Sequence, residues 1–517
     1  MPNILLVYPE FPPSYWNFNY ALRFVGRKAV MPPLGLLTVA GMIPKGNAIK
    51  VVDMNVTPLL DADIKAAHVV MLSAMLVQKA CFYEIVERCN RAGVPVVAGG
   101  PFPTSYYNDI RKEVPGKVDH FFLGEGEGRF LDFLTDLRMG KAKEIYEEPR
   151  TPDGRRTLKP AIAQTPFPRF DLLDLSVYAS MALQFSRGCP FDCEFCDITT
   201  LFGRVPRTKT NEQMIAEFDL LYNLGWRGSL FLVDDNFIGN KRRALELLPI
   251  IAEWQQSRQY PFSLYTEASV NLAEMDPLLE GMVRAGFNMV FLGIETVTPE
   301  TLVKIAKPQN TKKDENGYVE NYLFDAVRKI QRKGMEVTGG FILGLDGDRE
   351  SVFDAQITFV QEAGIPMAMV GLPTVLKDTH MYTRLQHEDR LLKESTGDNV
   401  STDLNFVPEM DRHTLTAGYR RVLSTIYDPG LKNYFARCLT LLDNLAVTEH
   451  SVRRVGRREL LALARSVREQ LFSRQGVAYS RFLFRVLRDH PRMFPEAVRL
   501  AIMGYHLEKM TRQVVVA

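Results

Sequence analysis

Two successive series of short apolar segments, each segment separated from the next by a helical pattern, constrain this chain more than any other feature. In the first series NILLVYP (3–9), IKVVDMN (49–55), HVVMLSA (68–74), VPVVAGG (94–100) and VDHFFLG (118–124) read as buried strands. LGLLTVAGMI (34–43) and QKACFYEIVERCNRAG (78–93) read as helices between them. Strands spaced by helices cannot pair through tight hairpins. They form a parallel sheet covered on both faces, and so read as nearly continuous apolar runs. The reading is a doubly wound, Rossmann-like α/β domain over residues 1–140, with ligands expected at the carboxyl ends of its strands.

Residues 141–180, with EEPRTPDGRR and TPFPRFDLLD, are rich in proline and charge and read as a linker. A second series occupies 181–400. Its candidate strands are MALQFSR (181–187), SLFLVDD (229–235), FSLYTEA (262–268), MVFLGIE (289–295), VTGGFILG (337–344) and MAMVGLP (367–373), with helical patterns at 240–258, 320–333 and 349–363. Six such units suggest a (β/α)6 partial barrel, whose chemistry would sit at the C-terminal ends of the strands. From 401 to 517 the strand signal fades and the chain reads as a mostly helical domain.

With 517 residues, several domains are expected. A formal charge of +2 argues against a dedicated nucleic-acid binder. The balance is uneven: residues 438–517 hold 14 Lys and Arg against 7 Asp and Glu, leaving −5 for the rest. In this region RRVGRREL (453–460) and SRFLFRVLRDHPRMF (480–494) interleave basic and apolar residues. They read either as a helical layer with a solvated basic face or as a contact with a membrane surface or lipid-like substrate. The start, MPNILLVYPEFPPSYW, shows no basic leader, so a cytoplasmic protein is expected, with membrane association as an addition.

Half of the six cysteines lie within SRGCPFDCEFCDI (186–198), as Cys189, Cys193 and Cys196. In a reducing compartment, clustered cysteines point to metal or redox chemistry. C-x3-C-x2-C directly after a strand can ligate three irons of a 4Fe–4S cluster and leave the fourth iron open to a small molecule. Zinc is the alternative, but structural zinc usually takes four ligands in spaced pairs, and no fourth Cys or nearby His is on offer. GEGEG (124–128) suggests a dinucleotide fingerprint, yet it comes after the fifth strand, and the turn after the first strand, YPEFPPS, has no glycine.

On these residues the chain resembles the radical S-adenosylmethionine (radical SAM) enzymes over 181–390, and specifically the cobalamin-dependent group. QFSRGCPFDCEFCDITTLFGR (184–204) is most similar to the branch that includes hopanoid C-2 methylase and bacteriochlorophyll side-chain methyltransferases. The resemblance implies a 4Fe–4S cluster on Cys189, Cys193 and Cys196, with Phe195 fitting the family pattern. It implies SAM contacts from Asp234, Asp235 and Asn236, from Glu267 and Ser269, and from backbone at Gly293, Glu295 and Gly340. The first domain resembles a cobalamin-binding domain, through Ser73, Met75, Leu76 and Val77 after the third strand. Gly99, Gly100 and Pro101 after the fourth strand and Gly124 and Glu125 after the fifth carry the same likeness. Many such domains ligate cobalt with the His of an Asp-x-His-x-x-Gly motif. That motif is absent here, so no protein His ligand to cobalt is expected.

The resemblance implies a C-methyltransferase that moves a methyl group from SAM, by way of methylcobalamin, to an unactivated carbon of a hydrophobic hopanoid- or tetrapyrrole-like substrate. An external electron donor such as flavodoxin or ferredoxin is implied too. A cyclase or rearrangement enzyme with the same cofactors, and a non-catalytic iron–sulfur or corrinoid sensor, are the alternatives.

Overall fold

The computed structural model describes residues 3–148, 159–313, 319, 320, 322–448 and 455–516. Arg453, Arg454 and most of EEPRTPDGRR lie outside the described residues.

The first apolar series forms a parallel six-stranded sheet of β1 (Asn3–Tyr8), β2 (Ala48–Asp53), β3 (Val69–Ser73), β4 (Val96–Gly99), β5 (His120–Leu123) and β6 (Ile145–Glu147), in the order β2-β1-β3-β4-β5-β6. Apolar side chains from both faces are buried in two separate cores. Leu5, Val7, Val70 and Leu72 face one, with Phe82, Ile85 and Val86 of the helix Lys79–Ala92. Ile4, Leu6, Val69 and Met71 face the other, with Leu36 and Phe133. That is the doubly wound arrangement, and the unbroken apolar runs are its cause. β6 is an addition to the five strands the sequence suggests. It lies in the stretch that reads as a linker, and three residues paired through backbone alone leave little apolar pattern to read.

The second series forms β7 (Ser180–Leu183), then a short antiparallel pair of β8 (Ser186–Arg187) and β9 (Arg207–Thr208), then β10 (Gly228–Leu232), β11 (Phe262–Ala268) and β12 (Phe287–Glu295). After a second short pair, β13 (Lys312–Lys313) and β14 (Val319–Glu320), come β15 (Glu336–Ile342) and β16 (Ala368–Gly371). The six longer strands make a parallel sheet ordered β16-β15-β12-β11-β10-β7. Side chains alternate. Leu230, Leu232, Leu264, Val290, Leu292 and Ile294 are fully buried in a core shared with Leu247, Ile251 and Met282 of the flanking helices. Phe231, Tyr265 and Phe291 point to the other face, where the Phe231 and Tyr265 rings stack at 4.7 Å and the Tyr265 hydroxyl reaches Ser180 Oγ across β10 at 3.0 Å.

The tail is helical, as its fading strand signal implies. Arg412–Ile426 and Lys432–Asn444 pack on the helix Ser351–Glu362 behind the second sheet, and the long helix Phe494–Val516 is the axis on which the others lean. Arg457–Gln470 packs on this axis and on Asn19–Val25, while Gly476–Asp489 packs on the axis and on Lys432–Asn444.

The two sheets are bound together. Ala29 and Val30 extend the edge of β7 through backbone hydrogen bonds to Ala179 and Ser180, and the Tyr178 hydroxyl donates to the buried Asp53 carboxylate of β2 at 3.0 Å.

Candidate active site

The loop after β7 carries the three cysteines, and acidic side chains from the end of β10 fix how it leaves the sheet. Asp234 is buried and accepts backbone N–H groups of Phe185, at 3.3 Å, and Ser186. Asp235 accepts the Gly188 N–H at 3.0 Å. Gly188 sits at φ 96°, and a Cβ there would lie 2.6 Å from the Gly203 carbonyl, so only glycine allows this turn. Burial pushes the Asp234 carboxyl up to about 7 and the Asp235 carboxyl up to about 6, against the lowering effect of those N–H groups. Both carboxylates therefore first of all hold the mouth of the cysteine loop.

Further along the loop, Glu194 N–H donates to the Ile305 carbonyl at 3.1 Å, and Met381 N–H donates to the Glu194 carbonyl at 2.9 Å. The Glu194 carboxylate pairs with Arg384, which also meets Asp346 at 2.7 Å. The loop is thus tied to the helix His380–His387 as well as to the sheet.

The sulfurs share one environment. Burial raises the Cys189 and Cys196 thiols, and the neighbouring cysteines raise them further. Among the described residues no three His, Cys, Asp or Glu side chains are gathered for one metal ion. Amide donors reach the sulfurs: Asn236 Nδ2 lies 3.9 Å from Cys189 Sγ, and Gln309 Nε2 donates to Cys193 Sγ at 3.5 Å. Lys307 is buried, pairs with Glu295, and holds its ammonium 5.7 Å from the Phe195 ring centre. Burial works against that charge, but Glu295 and Cys193 outweigh it and keep the Lys307 pKa above its ordinary value. A buried cation and amide donors beside three thiols are what thiolate ligands need, so the donor set fits an iron–sulfur cluster.

Lys307 and Gln309 escape a reading of the sequence. They lie more than a hundred residues beyond the cysteines, and only the run KIAKPQN, a lysine and proline closing a short helix, hints at them. Glu295 adopts φ 64°, and a Cβ on Gly293 would lie 2.5 Å from Glu295 Oε1 and 2.8 Å from Lys307 Nζ. Gly293 is thus required by the Glu295–Lys307 pair itself. A Cβ on Gly340 would meet the Phe291 ring at 3.0 Å. Asn236 also donates to Ser269 Oγ at 3.1 Å, which brings these two expected residues together beside Cys189. Glu267 points to the open face of β11, and burial raises its carboxyl to about 8, with Asp235, Asp234 and Glu295 adding to the rise.

At the carboxyl edge of the first sheet, Met75 is 48% exposed and Leu76 and Val77 begin a short turn, packed under Gly397. Gly100 sits at φ 89°, where a Cβ would press on Ser73 Oγ at 2.8 Å, and next to it Gly99 ends β4 and Pro101 begins a helix. Gly124 takes φ 95° and donates its N–H to Thr104 Oγ1 at 3.1 Å. A bare, glycine-turned edge with an exposed methionine fits a large flat ligand. His68 and His120 lie at the opposite, amino end of the strands: His68 Nδ1 accepts the Asn3 N–H at 2.9 Å, and His120 contacts the Lys143 carbonyl. Glu125 faces the second sheet instead, pairing with Arg187 at 2.7 Å and Arg207 at 2.6 Å, while Glu127 pairs with Arg187 at 2.7 Å.

A cluster-type cysteine loop at the head of a partial barrel, joined to a doubly wound sheet with a ligand edge, defines a radical enzyme with a second cofactor. Comparison with known proteins agrees. A B12 binding domain model matches residues 24–134, a Radical SAM superfamily model 183–360, and a domain of unknown function (DUF4070) 379–517. An uncharacterized methyltransferase of Synechocystis sp. is 42% identical over 82% of this chain and 76% of its own length. The hopanoid C-2 methylase of Rhodopseudomonas palustris is 33% identical over 83% of this chain and 78% of its own. Among solved structures, the cobalamin-dependent SAM radical enzyme OxsB shares the fold with a TM-score of 0.62 at 15% identity, covering 100% of this chain and 80% of that one. The radical SAM methyltransferase TsrM of Kitasatospora setae reaches 0.59 at 16% identity, covering 97% and 99%. The chain belongs to the cobalamin-dependent radical SAM enzymes and is a radical SAM methyltransferase that uses a 4Fe–4S cluster, SAM and cobalamin.

Proposed function

We propose that this enzyme methylates an unactivated carbon of a hydrophobic polycyclic substrate, hopanoid-like in the first instance, with a tetrapyrrole as the alternative. One observation carries the reading: the open face of the second sheet is aromatic. Phe231, Tyr265 and Phe291 line it, and Trp16, from the loop after β1, approaches Phe291 at 5.2 Å between ring centres. Such a surface binds a flat apolar skeleton by area and ring contact. Relatives lean the same way, for a bacteriochlorophyllide d C-12(1)-methyltransferase of Chlorobaculum tepidum is 24% identical over 70% of this chain.

When bound, the cluster supplies the electron that cleaves SAM, and the corrin carries the methyl group. In this reading Cys189, Cys193 and Cys196 ligate the cluster, Lys307 and Gln309 steady the thiolates, and Asp234 and Asp235 hold the loop. Asn236 and Ser269, together with the backbone at Gly293, Glu295 and Gly340, border the SAM site, with Glu267 at its inner side. Ser73, Met75–Val77, Gly99–Pro101 and Gly124 border the corrin, and cobalt is expected to take no protein histidine, for none of the described residues at this edge is one. Residues 1–140 form the corrin unit, 181–400 the barrel and 401–517 the helical unit. A flavodoxin- or ferredoxin-like protein supplies the electron, and peripheral membrane contact belongs to the same reading.

Replacing any of the three loop cysteines with Ala is expected to abolish SAM cleavage while cobalamin still binds, as followed by its visible absorption. Retained cleavage in any one of these variants would overturn the cluster assignment. A magnesium-protoporphyrin IX monomethyl ester cyclase of Synechocystis sp. is 27% identical over 56% of this chain, which keeps a cyclase as the second reading. Label from SAM methyl appearing in a product one methylene heavier decides for methylation.

A further inference from the structure

We propose that the helices Arg457–Gln470 and Gly476–Asp489 and the turn between them dock the enzyme on an anionic lipid bilayer, with a phosphate headgroup held in a cleft lined by Arg27, Arg458 and Arg465. This rests on the reading of a lipid-like substrate and deepens it by giving the enzyme the surface on which such a substrate resides.

Apolar side chains protrude along both helices and at the turn. Phe472 is 89% exposed at the turn and Phe484 is 68% exposed, with Leu460, Leu461, Val477 and Leu487 also in solvent. On the first helix Arg457, Leu460, Leu461 and Arg468 succeed one another at helical spacing, and Phe472 follows in the turn. On the second, Val477, Arg481, Phe484 and Arg488 do the same. The opposite faces, through Ala462, Ser466, Tyr479, Phe482 and Val486, are buried in the helical unit.

An interface for a protein partner is depleted of charge at its apolar centre. Here each large apolar group stands beside an arginine, which is the pattern of a segment lying at a lipid surface. Among the described residues no helix is long and apolar enough to cross a membrane, so the contact would be peripheral.

The cleft supports this independently. It measures about 280 Å³ and is bordered by Val25, Gly26, Arg27, Ser176, Arg458, Leu461 and Arg465. Arg465 donates to the Phe24 carbonyl at 3.0 Å, which fixes its guanidinium at the end of the helix Asn19–Val25. Burial and the nearby Arg458 both lower the Arg27 pKa, the mark of cations held close together. Two carboxylates also act on Arg27 and partly offset the cations: Asp174, which accepts the Ser176 N–H at 2.9 Å, and Glu459, which accepts the Gly456 N–H at 2.8 Å, so three arginines face two acids. The single negative charge of a phosphodiester headgroup complements such a cleft.

The test is flotation of the full-length protein with vesicles of phosphatidylcholine alone and of phosphatidylcholine with phosphatidylglycerol. Expected is binding to the anionic vesicles only, reduced several-fold by R27Q/R458Q and nearly lost in F472S/F484S. Both variants replace surface residues, and their folding is checked by circular dichroism. Absence of binding, or binding that neither variant changes, would overturn the proposal. So would inorganic phosphate raising the melting temperature while vesicles fail to bind, which would make the cleft a site for a soluble anion. Binding of a purified flavodoxin that F472S/F484S abolishes, with no vesicle binding, would overturn it in favour of a protein partner. Because flotation needs neither SAM nor cobalamin, its failure leaves the methylation reading standing or falling on the label test.

Discussion

Glu267 shows how a single buried carboxyl makes a measurable demand on this fold. In the folded chain it keeps its proton up to about pH 8, while the unfolded chain releases it near the ordinary value of 4.5. Between those limits the folded state binds more protons, so stability falls as pH rises through the window. Asp234 and Asp235 are raised too and act in the same direction, so the variant that isolates Glu267 is E267Q. It is expected to match the parent near pH 5 and to exceed it at pH 8.5 by a few kcal/mol at most, since a tenfold change in proton affinity is worth about 1.4 kcal/mol. Melting temperatures at the two pH values check this. A gap that does not widen with pH would mean a solvated carboxyl. Among single residues the site is only partly legible in the sequence. Cys189, Cys193, Cys196, Asp235 and Asn236 sit in short motifs at strand ends, so their neighbours in sequence are their neighbours in space. The family resemblance implies SAM contacts from Asp234 and Asp235, and the structure adds a second role, since both accept backbone N–H groups of the cysteine loop. Gln309 reaches Cys193 Sγ, and Lys307 reaches Glu295 and the Phe195 ring, after the helix Pro299–Lys304 ends in a turn with Ala306 at φ 56°, which composition does not announce.

Among the elements, strands buried on both faces are legible because apolar runs of that length have few other uses. Structure held by backbone or by a few contacts is not: β6 and the pair β8 and β9 around the cysteine loop. The helix Asn211–Asn223 buries Met214, Phe218 and Leu221 in the barrel core but opens on the polar residues Asn211, Glu212 and Gln213. That helix is set by its Thr210 cap, whose side chain accepts the Gln213 N–H. The helical tail is legible as helix but not as packing. Its long axis, Phe494–Val516, crosses Lys432–Asn444 where Gly504 faces the ring of Tyr434, so close that an added Cβ would collide with it. Tyr434 is fully buried and its hydroxyl is committed to the Leu500 carbonyl at 2.7 Å, so the ring has nowhere to go. G504A, though it favours helix by propensity, is therefore expected to destabilise the protein by about 1–3 kcal/mol through overpacking. Chemical denaturation monitored by circular dichroism checks it. An unchanged or raised midpoint would show that the helices separate without cost.

For the molecule as a whole, the chemistry requires that a methyl group carried at one sheet and a radical made at the other meet the same substrate atom. The two sheets are also joined beside the cysteine loop. Glu125 and Glu127, from the loop after β5, pair with Arg187, which stands two residues before Cys189, and Glu125 also holds Arg207 of β9. Arg187 is buried, and burial alone would lower its pKa, but Glu127 and Glu125 outweigh that effect and keep it raised. Removing the carboxylates leaves a buried charge without a partner, at a cost of about 3–5 kcal/mol. E125Q/E127Q keeps the side-chain shapes but removes both negative charges. Its expected effect is on coupling more than on radical formation, because the cysteines, Lys307 and Gln309 remain in place. Production of 5′-deoxyadenosine should persist, while methylated product formed per deoxyadenosine falls several-fold, since small misplacements of reacting groups are costly. The two products measured in the same reaction check this. If the ratio holds while both rates fall together, the ion pairs support folding alone and the alignment of the two cofactors is set elsewhere, at the β7 edge where Ala29 and Val30 pair with the barrel.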